Sequence, residues 1–157
     1  MILYEDKPKY DNWAKIMLSF APSLMLLLII LIEYDLLPTE SEEEAMFAKQ
    51  ILFASIAIIL ILYWAILPRR FEIHEDKLKI IFGFFTYNIP LQDVAEVRRV
   101  ESWKAFAYKG LRFTTSIGNI VEIRKKKGIS IVISPSNPDL FIEFLTNALK
   151  RERKAQK

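Results

Sequence analysis

The stretch that decides the fold is ILYWAILPRRFEIHEDKLKIIFG, residues Ile61–Gly83. Its first seven residues are uninterruptedly apolar, Pro68 with Arg69 and Arg70 stops the run, and the remainder alternates. Phe71 and Ile73 alternate with Glu72 and His74, then Leu78 and Ile80 with Lys77 and Lys79. A run without a polar stripe suits a surface that meets hydrocarbon all round, whereas period-2 alternation marks a half-buried strand. The solvent seen by the chain therefore changes near Arg69, and two regions meet there.

Upstream, Ile16 to Ile32 (IMLSFAPSLMLLLIILI) and Ile51 to Leu67 (ILFASIAIILILYWAIL) are each 17 residues without a charge. A helix of that length rises roughly 25 Å, and the flanks Trp13 to Tyr34 and Phe47 to Pro68 extend it to about the 30 Å of a hydrocarbon core. Helices of a soluble bundle would carry a polar stripe, but here only Ser19, Ser23 and Ser55 interrupt the apolar surface. Pro22 is tolerated in a membrane helix whose neighbours satisfy the freed carbonyl. A cleaved signal peptide fits poorly. Glu5, Asp6 and Asp11 precede the first run among Lys7, Lys9 and Lys15, and Glu33-Tyr34-Asp35 stands where small residues would be cleaved. Residues 1–68 are thus read as an N-terminal segment and transmembrane hairpin, with helices at about 13–34 and 47–67.

The connection Glu33 to Glu44 (EYDLLPTESEEE) contains six acids and no base, while Lys7, Lys9, Lys15, Arg69 and Arg70 flank the other ends. The positive-inside rule places this connection outside and both termini in the cytoplasm, with Lys49 snorkelling to the outer interface. Trp13, Tyr34, Tyr63 and Trp64 fall at interfacial positions. Thr39 or Ser41 before Glu42 to Glu44 reads as a helix start, with acids at the positive end of the dipole.

Composition narrows the chemistry. Of 157 residues, 52% are hydrophobic and 26% charged, with no cysteine and one histidine. Disulfides, thiolate zinc sites, cysteine nucleophiles and multi-histidine metal sites are excluded. No glycine-rich phosphate cradle or nucleophile elbow occurs, and the apolar runs carry no acid or base of an ion path. His74 reads as an exposed residue near a turn. An enzyme, a resident cofactor, nucleic-acid binding and transport by this chain alone are not expected. The net charge of +3 conceals an asymmetry: residues 71–157 hold 16 Lys plus Arg against 10 Asp plus Glu, whereas residues 1–70 hold 6 against 9.

Downstream, alternation predicts seven short strands: around Phe71 to His74, Lys77 to Phe82, Phe84 to Ile89, Val94 to Glu101, Leu111 to Ile117, Asn119 to Lys125 and Ile129 to Ser134. Glu75-Asp76, Gly83 and Lys127-Gly128 mark turns, and Gly118-Asn119 predicts a two-residue hairpin. Asn137, Pro138 and Asp139 then start a helix over about 138–153. Its apolar face comprises Leu140, Phe141, Phe144, Leu145, Ala148 and Leu149. The fold class is α+β: a two-helix transmembrane hairpin, then residues 69–157 as a seven-stranded antiparallel barrel or sandwich with a C-terminal capping helix.

That arrangement, with FEIHEDKLKIIFG leading into IPLQDVAEV, an SW segment followed by GLRF, then IVEIRKKKG and ISPSNPDLFIEFL, resembles the bacterial and archaeal pleckstrin-homology-like (PH-like) membrane proteins. The resemblance covers nearly all of residues 69–149 and rests on structural motifs. It implies a PH-like domain at the cytoplasmic face of a cell membrane, with a binding or scaffolding role and no catalytic signature.

Two segments are candidates for contact with anionic lipid headgroups or a partner protein. One is the turn Arg124, Lys125, Lys126 and Lys127, which either attracts anionic surfaces or is a solvated turn. The other interleaves Trp103, Phe106 and Tyr108 with Lys104, Lys109 and Arg112, which suits an interface, or else has Trp103 and Phe113 in the core. Arg98-Arg99 extends this patch or sits on an exposed strand face. Alternatively the chain is a structural or adaptor subunit of a larger membrane transport or secretion complex, packed through Ser19, Ser23, Ala54, Ser55 and Ala57.

Overall fold

A computed structural model describes residues 1–100 and 111–155. The chain forms β1 (Ile2–Asp6), α1 (Asn12–Glu33), α2 (Glu42–Ile66), β2 (Arg70–His74), β3 (Lys77–Ile81), β4 (Thr86–Pro90), a one-turn 3-10 helix (Leu91–Asp93), β5 (Val94–Arg99), β6 (Leu111–Phe113), β7 (Val121–Lys125), β8 (Ile131–Ile133) and α3 (Pro138–Ala155). These divide into two compact units, residues 12–65 and residues 1–11 with 66–157.

The helical unit consists of α1 and α2, both long and apolar enough to cross a membrane. α1 runs through Pro22. Within their most apolar stretches only 6% and 0% of residues are buried, so these are not core helices wrapped by protein. Two of the three serine hydroxyls in the apolar runs are turned onto their own backbone: Ser19 donates to the Ile16 carbonyl at 3.1 Å and Ser55 to that of Ile51 at 2.8 Å. The helices are tied at their loop ends by Lys49 Nζ on Glu33 Oε2 at 2.7 Å, which places the lone lysine of α2 in an ion pair. α1 ends in a Schellman pattern, Leu36 N–H to Leu31 O and Asp35 N–H to Ile32 O, with Asp35 at φ 52°. α2 begins as its sequence requires: Ser41 Oγ accepts the Glu44 N–H at 3.2 Å and the Glu44 carboxylate accepts the Glu40 N–H at 2.7 Å.

The β unit holds two four-stranded sheets, in the orders β1-β2-β3-β4 and β5-β7-β8-β6. Alternation along each strand puts Phe71, Ile73, Leu78, Ile80 and Ile89 on the inner face of the first, and Val94, Val121, Ile123, Ile131 and Ile133 on that of the second. Each buried side chain of this size stabilises the fold by about 1.5–3 kcal/mol. α3 covers the remaining opening with Phe141, Leu145, Ala148 and Leu149. Phe141 packs edge-on against Tyr4 and Phe71, with ring centroids 6.4 and 6.1 Å away.

Three expectations are corrected. First, residues 1–68 are not all outside the β domain. Ile2–Asp6 is an edge strand that pairs antiparallel with β2, Asp6 opposite Phe71 and Glu5 opposite Glu72. The chain then continues beside the second sheet, where Lys9 N–H bonds to Ser134 O and Ser136 N–H to Lys7 O, both at 2.8 Å. One N-terminal segment thereby joins the two sheets, and the helical hairpin is an insertion after the first strand.

Second, the expected hairpin at Gly118-Asn119 does not form. β6 is only three residues long and pairs with β8 in parallel, so the assembly is not wholly antiparallel, while β7 lies between β5 and β8. The reason is competition for residues 115–119. The Thr115 carbonyl accepts the Asp11 N–H at 3.0 Å, Asp11 Oδ2 accepts the Ile117 N–H at 2.7 Å, and Ser116 bonds to Ser134. Third, Phe84 and Phe85 belong to a turn rather than a strand, because Phe82 N–H closes it by bonding to Phe85 O at 2.9 Å, and β4 starts only at Thr86.

Candidate interaction surface

The basic turn begins within β7 and splits into two kinds of residue. Strand alternation points Arg124 outward and Lys125 toward the sheet interior. Arg124 meets Glu96 of β5 at 3.7 Å, and both are half exposed. Lys125 Nζ donates to Tyr87 Oη at 3.0 Å and lies 5.2 Å from that ring's centroid, a combined hydrogen bond and cation–π contact. Lys126 and Lys127 are exposed ahead of Gly128, whose φ of 89° turns the chain into β8. The backbone of Lys126 is fixed by its N–H on the Asp93 carbonyl at 2.8 Å. The four cations thus resolve into two with partners inside the domain and two presented to solvent.

Of the other candidates, Trp103, Lys104 and Lys109 lie outside the described residues, as do Phe106 and Tyr108, and Arg112 occupies a β6 position in register with Val132. Arg98 and Arg99 part company. Arg98 Nε donates to Glu122 Oε2 at 2.6 Å, and Arg99 pairs with Asp139 at the start of α3 at 3.0 Å. Glu122 was not singled out by the sequence, where it reads as the solvent-facing residue between Val121 and Ile123. It is 1% exposed, on the same sheet face as buried Val132 opposite it. A carboxylate so deeply placed requires its charged partner. His74 is likewise not an exposed turn residue. Its Nε2 lies 3.0 Å from the largely buried Glu72 carboxylate, which Arg70 approaches at 3.7 Å from the other side.

The two ends of the second sheet differ in what they adjoin. Lys125 is paired with Val94 and Val121 with Arg99. The Val121 end continues into residues 115–120, which are bonded to Asp11, the residue immediately before α1. The basic turn occupies the other end of β7, roughly 13 Å along the strand. Beside the junction, Tyr10 Oη donates to the Pro68 carbonyl at 2.9 Å, fastening together the two segments that lead into the helices. Burial holds the Tyr10 phenol above its ordinary pKa, with the Arg69 charge pulling the other way.

Among the described residues no group of three or more His, Cys, Asp or Glu is arranged to hold a metal ion. A protein-family model described as "Bacterial PH domain" matches residues 69–148. Searches of curated proteins and of solved structures returned no match. The matched segment spans β2 through the first three turns of α3, half of the chain, and leaves out β1, which the structure adds to the same sheet. Its two packed sheets and closing C-terminal helix agree with that match, and the chain belongs to the bacterial PH domain family.

Proposed function

We propose that the protein is a membrane-anchored interaction module, a bacterial PH domain held at the cytoplasmic face by its own helical hairpin, where it binds or scaffolds a partner. The observation that carries this reading is the pairing of β1 with β2 across the two apolar helices. Because neighbouring strands of one sheet flank the hairpin, both of its open ends must emerge on the same side of the bilayer. Lys7, Lys9, Lys15, Arg69 and Arg70 on that side, against six acids in the connection, support the cytoplasm. The family match supports binding as the domain's role. Lys126 and Lys127, exposed at the end of β7, suit an acidic surface.

The absence of cysteine makes the test direct. Glu43→Cys and Lys126→Cys, introduced singly, are treated in intact cells with a membrane-impermeant maleimide. Position 43 should label without permeabilisation and position 126 only after it. The reverse pattern would overturn the orientation, and release of the chain by alkaline carbonate would overturn the anchor.

A further inference from the structure

Two groups of cations that are far apart in sequence meet at one end of the second sheet. Lys125 pairs with Val94, so the turn carrying Lys126 and Lys127 emerges beside the start of β5, where the Lys126 N–H is bonded to the Asp93 carbonyl at 2.8 Å. α3 reaches the same place from the other direction. Its first turn is held at the far end of β5 by Asp139 on Arg99 at 3.0 Å, and its last by Arg153, whose Nη2 donates to the Ala95 carbonyl at 2.9 Å. The helix therefore runs antiparallel to β5, and its Ala148 and Leu149 share a buried cluster with Leu91 of the one-turn helix just before that strand. Residues 91–93 thus have the basic turn on one side and the end of α3 on the other. Lys150, Arg151 and Lys154 are exposed there, as are Lys126 and Lys127. Among the described residues none of these five is drawn into an ion pair, in contrast to Arg98, Arg99 and Arg124. The acids among them are Asp93, the partly buried Glu152, and Glu96, which Arg124 holds.

We infer that the last turns of α3 and the Lys126-Lys127 turn form one binding surface, whose partner is an acidic, extended segment of another protein. Cations in the last turn of a helix complement its dipole, but that role gives no reason for a second set from a β-turn to stand beside them. Like charges gathered this way repel one another until an anion comes between them. The chemistry selects the kind of anion. Four of the five cations are lysines, point charges on flexible stems that suit carboxylates spread along a chain, whereas a lone phosphate favours the bidentate fork of arginine. α3 contributes its carbonyl end, so it supplies none of the backbone N–H donors that cradle a phosphate at a helix N-terminus. Residues 91–96, 124–128 and 150–154 contain no aromatic side chain on which a nucleic-acid base could stack. Charge spread over a turn and a helix end matches charge spread over a peptide. The inference deepens the binding reading above and rests on it, adding α3 to the surface and naming the partner's chemistry.

The full chain in micelles of an uncharged detergent is titrated into a fluorescein-labelled peptide of glutamates spaced by Gly-Ser, and binding is followed by fluorescence anisotropy. Three multiple variants are compared with the unmodified chain: Lys126→Gln with Lys127→Gln, Lys150→Gln with Arg151→Gln and Lys154→Gln, and, as a control on the first sheet, Lys77→Gln with Lys79→Gln. The turn variant and the helix variant should each raise Kd about tenfold, and the control less than about twofold. If the turn variant weakens binding and the helix variant does not, α3 is no part of the surface and the inference is overturned, while the turn keeps its binding role. If the control weakens binding as much as the others, or the unmodified chain does not bind the peptide, the turn's role falls as well and the inference with it. Single-stranded oligothymidylate and mixed micelles containing phosphatidylglycerol are added as competitors at equal charge. Stronger competition by either than by unlabelled peptide would assign the surface to nucleic acid or to lipid and overturn the acidic-protein partner. Thermal transitions report folding of each variant, and should the helix variant fail to fold, Lys154→Glu alone should raise Kd at least about threefold.

Discussion

The carboxylate of Asp6 accepts the backbone N–H of Asn137 at 3.0 Å, across 131 positions of sequence, and that of its neighbour Lys7 at 2.7 Å. The last residue of the first strand thus sets the start of the last helix, and every element inserted between them must leave those two points together. Asp6 is nearly buried, so the two N–H groups have little water to turn to. Asp6→Ala should therefore destabilise the β unit by about 1–3 kcal/mol, with Asp6→Asn costing less because one carbonyl acceptor is kept. Urea unfolding of the full chain in detergent micelles, followed by near-ultraviolet circular dichroism, measures both.

The family-matched segment by itself should not fold stably. A fragment of residues 69–157 lacks β1 and exposes the edge of β2, with Phe141 and Phe144 losing the Tyr4 ring that packs against them. It should aggregate or be cut rapidly by protease. Joining residues 1–11 to 66–157 through a short Gly-Ser linker in place of the helices should restore a soluble, protease-resistant domain. Equal resistance of the two chains would show that β1 contributes nothing.

Arg98 and Glu122 should behave as a coupled pair. Arg98→Met removes a charged hydrogen-bond donor from a carboxylate that is 1% exposed, whereas Glu122→Leu removes a partner of a half-exposed guanidinium, so the first change should be the more damaging. The double substitution should cost less than the sum of the singles, with a coupling of about 0.5–3 kcal/mol. A double-mutant cycle in thermal or urea unfolding checks this, and strict additivity would contradict it.

Alkaline pH should loosen the helix junction. The Tyr10 and Tyr4 phenols are both held above the ordinary tyrosine value by burial, Tyr4 further by the Asp6 charge and hydrogen bond. A raised pKa in the folded state means that the neutral phenol stabilises fully below about pH 10 and progressively less above it, as the unfolded chain ionises first. Tyr10→Phe should cost about 0.5–1.5 kcal/mol at neutral pH through the lost bond to Pro68, and should flatten the alkaline loss of stability. Unfolding measured from neutral to strongly alkaline pH tests the sign.

Much of this architecture is legible locally. The two apolar runs become α1 and α2, Ser41 and Asn137 act at helix starts, and Glu75-Asp76 and Lys127-Gly128 turn the chain between strands. The candidate cations were legible only as a cluster. That Lys125 turns inward onto Tyr87 while Lys126 and Lys127 face solvent depends on which face of β7 is buried, and Tyr87 lies 38 positions away. Glu122 and the Phe84-Phe85 turn carried no distinguishing local signal, because a lone acid between apolar residues and two aromatics after a glycine are both ordinary features of a strand.

By itself the sequence determined the kind of each region, because run length, period and helix-capping residues act over a few neighbouring positions. It settled that a pair of apolar helices precedes a set of short strands closed by an amphipathic helix. The tertiary structure alone decided where the domain begins, which strands are neighbours and which charges are buried. ILYED is too short for alternation to declare it a strand, and it becomes one only because the β2 edge, a whole hairpin away in sequence, has unpaired N–H and C=O groups that must be satisfied. The same pairing places the two apolar helices inside the domain's sequence rather than before it.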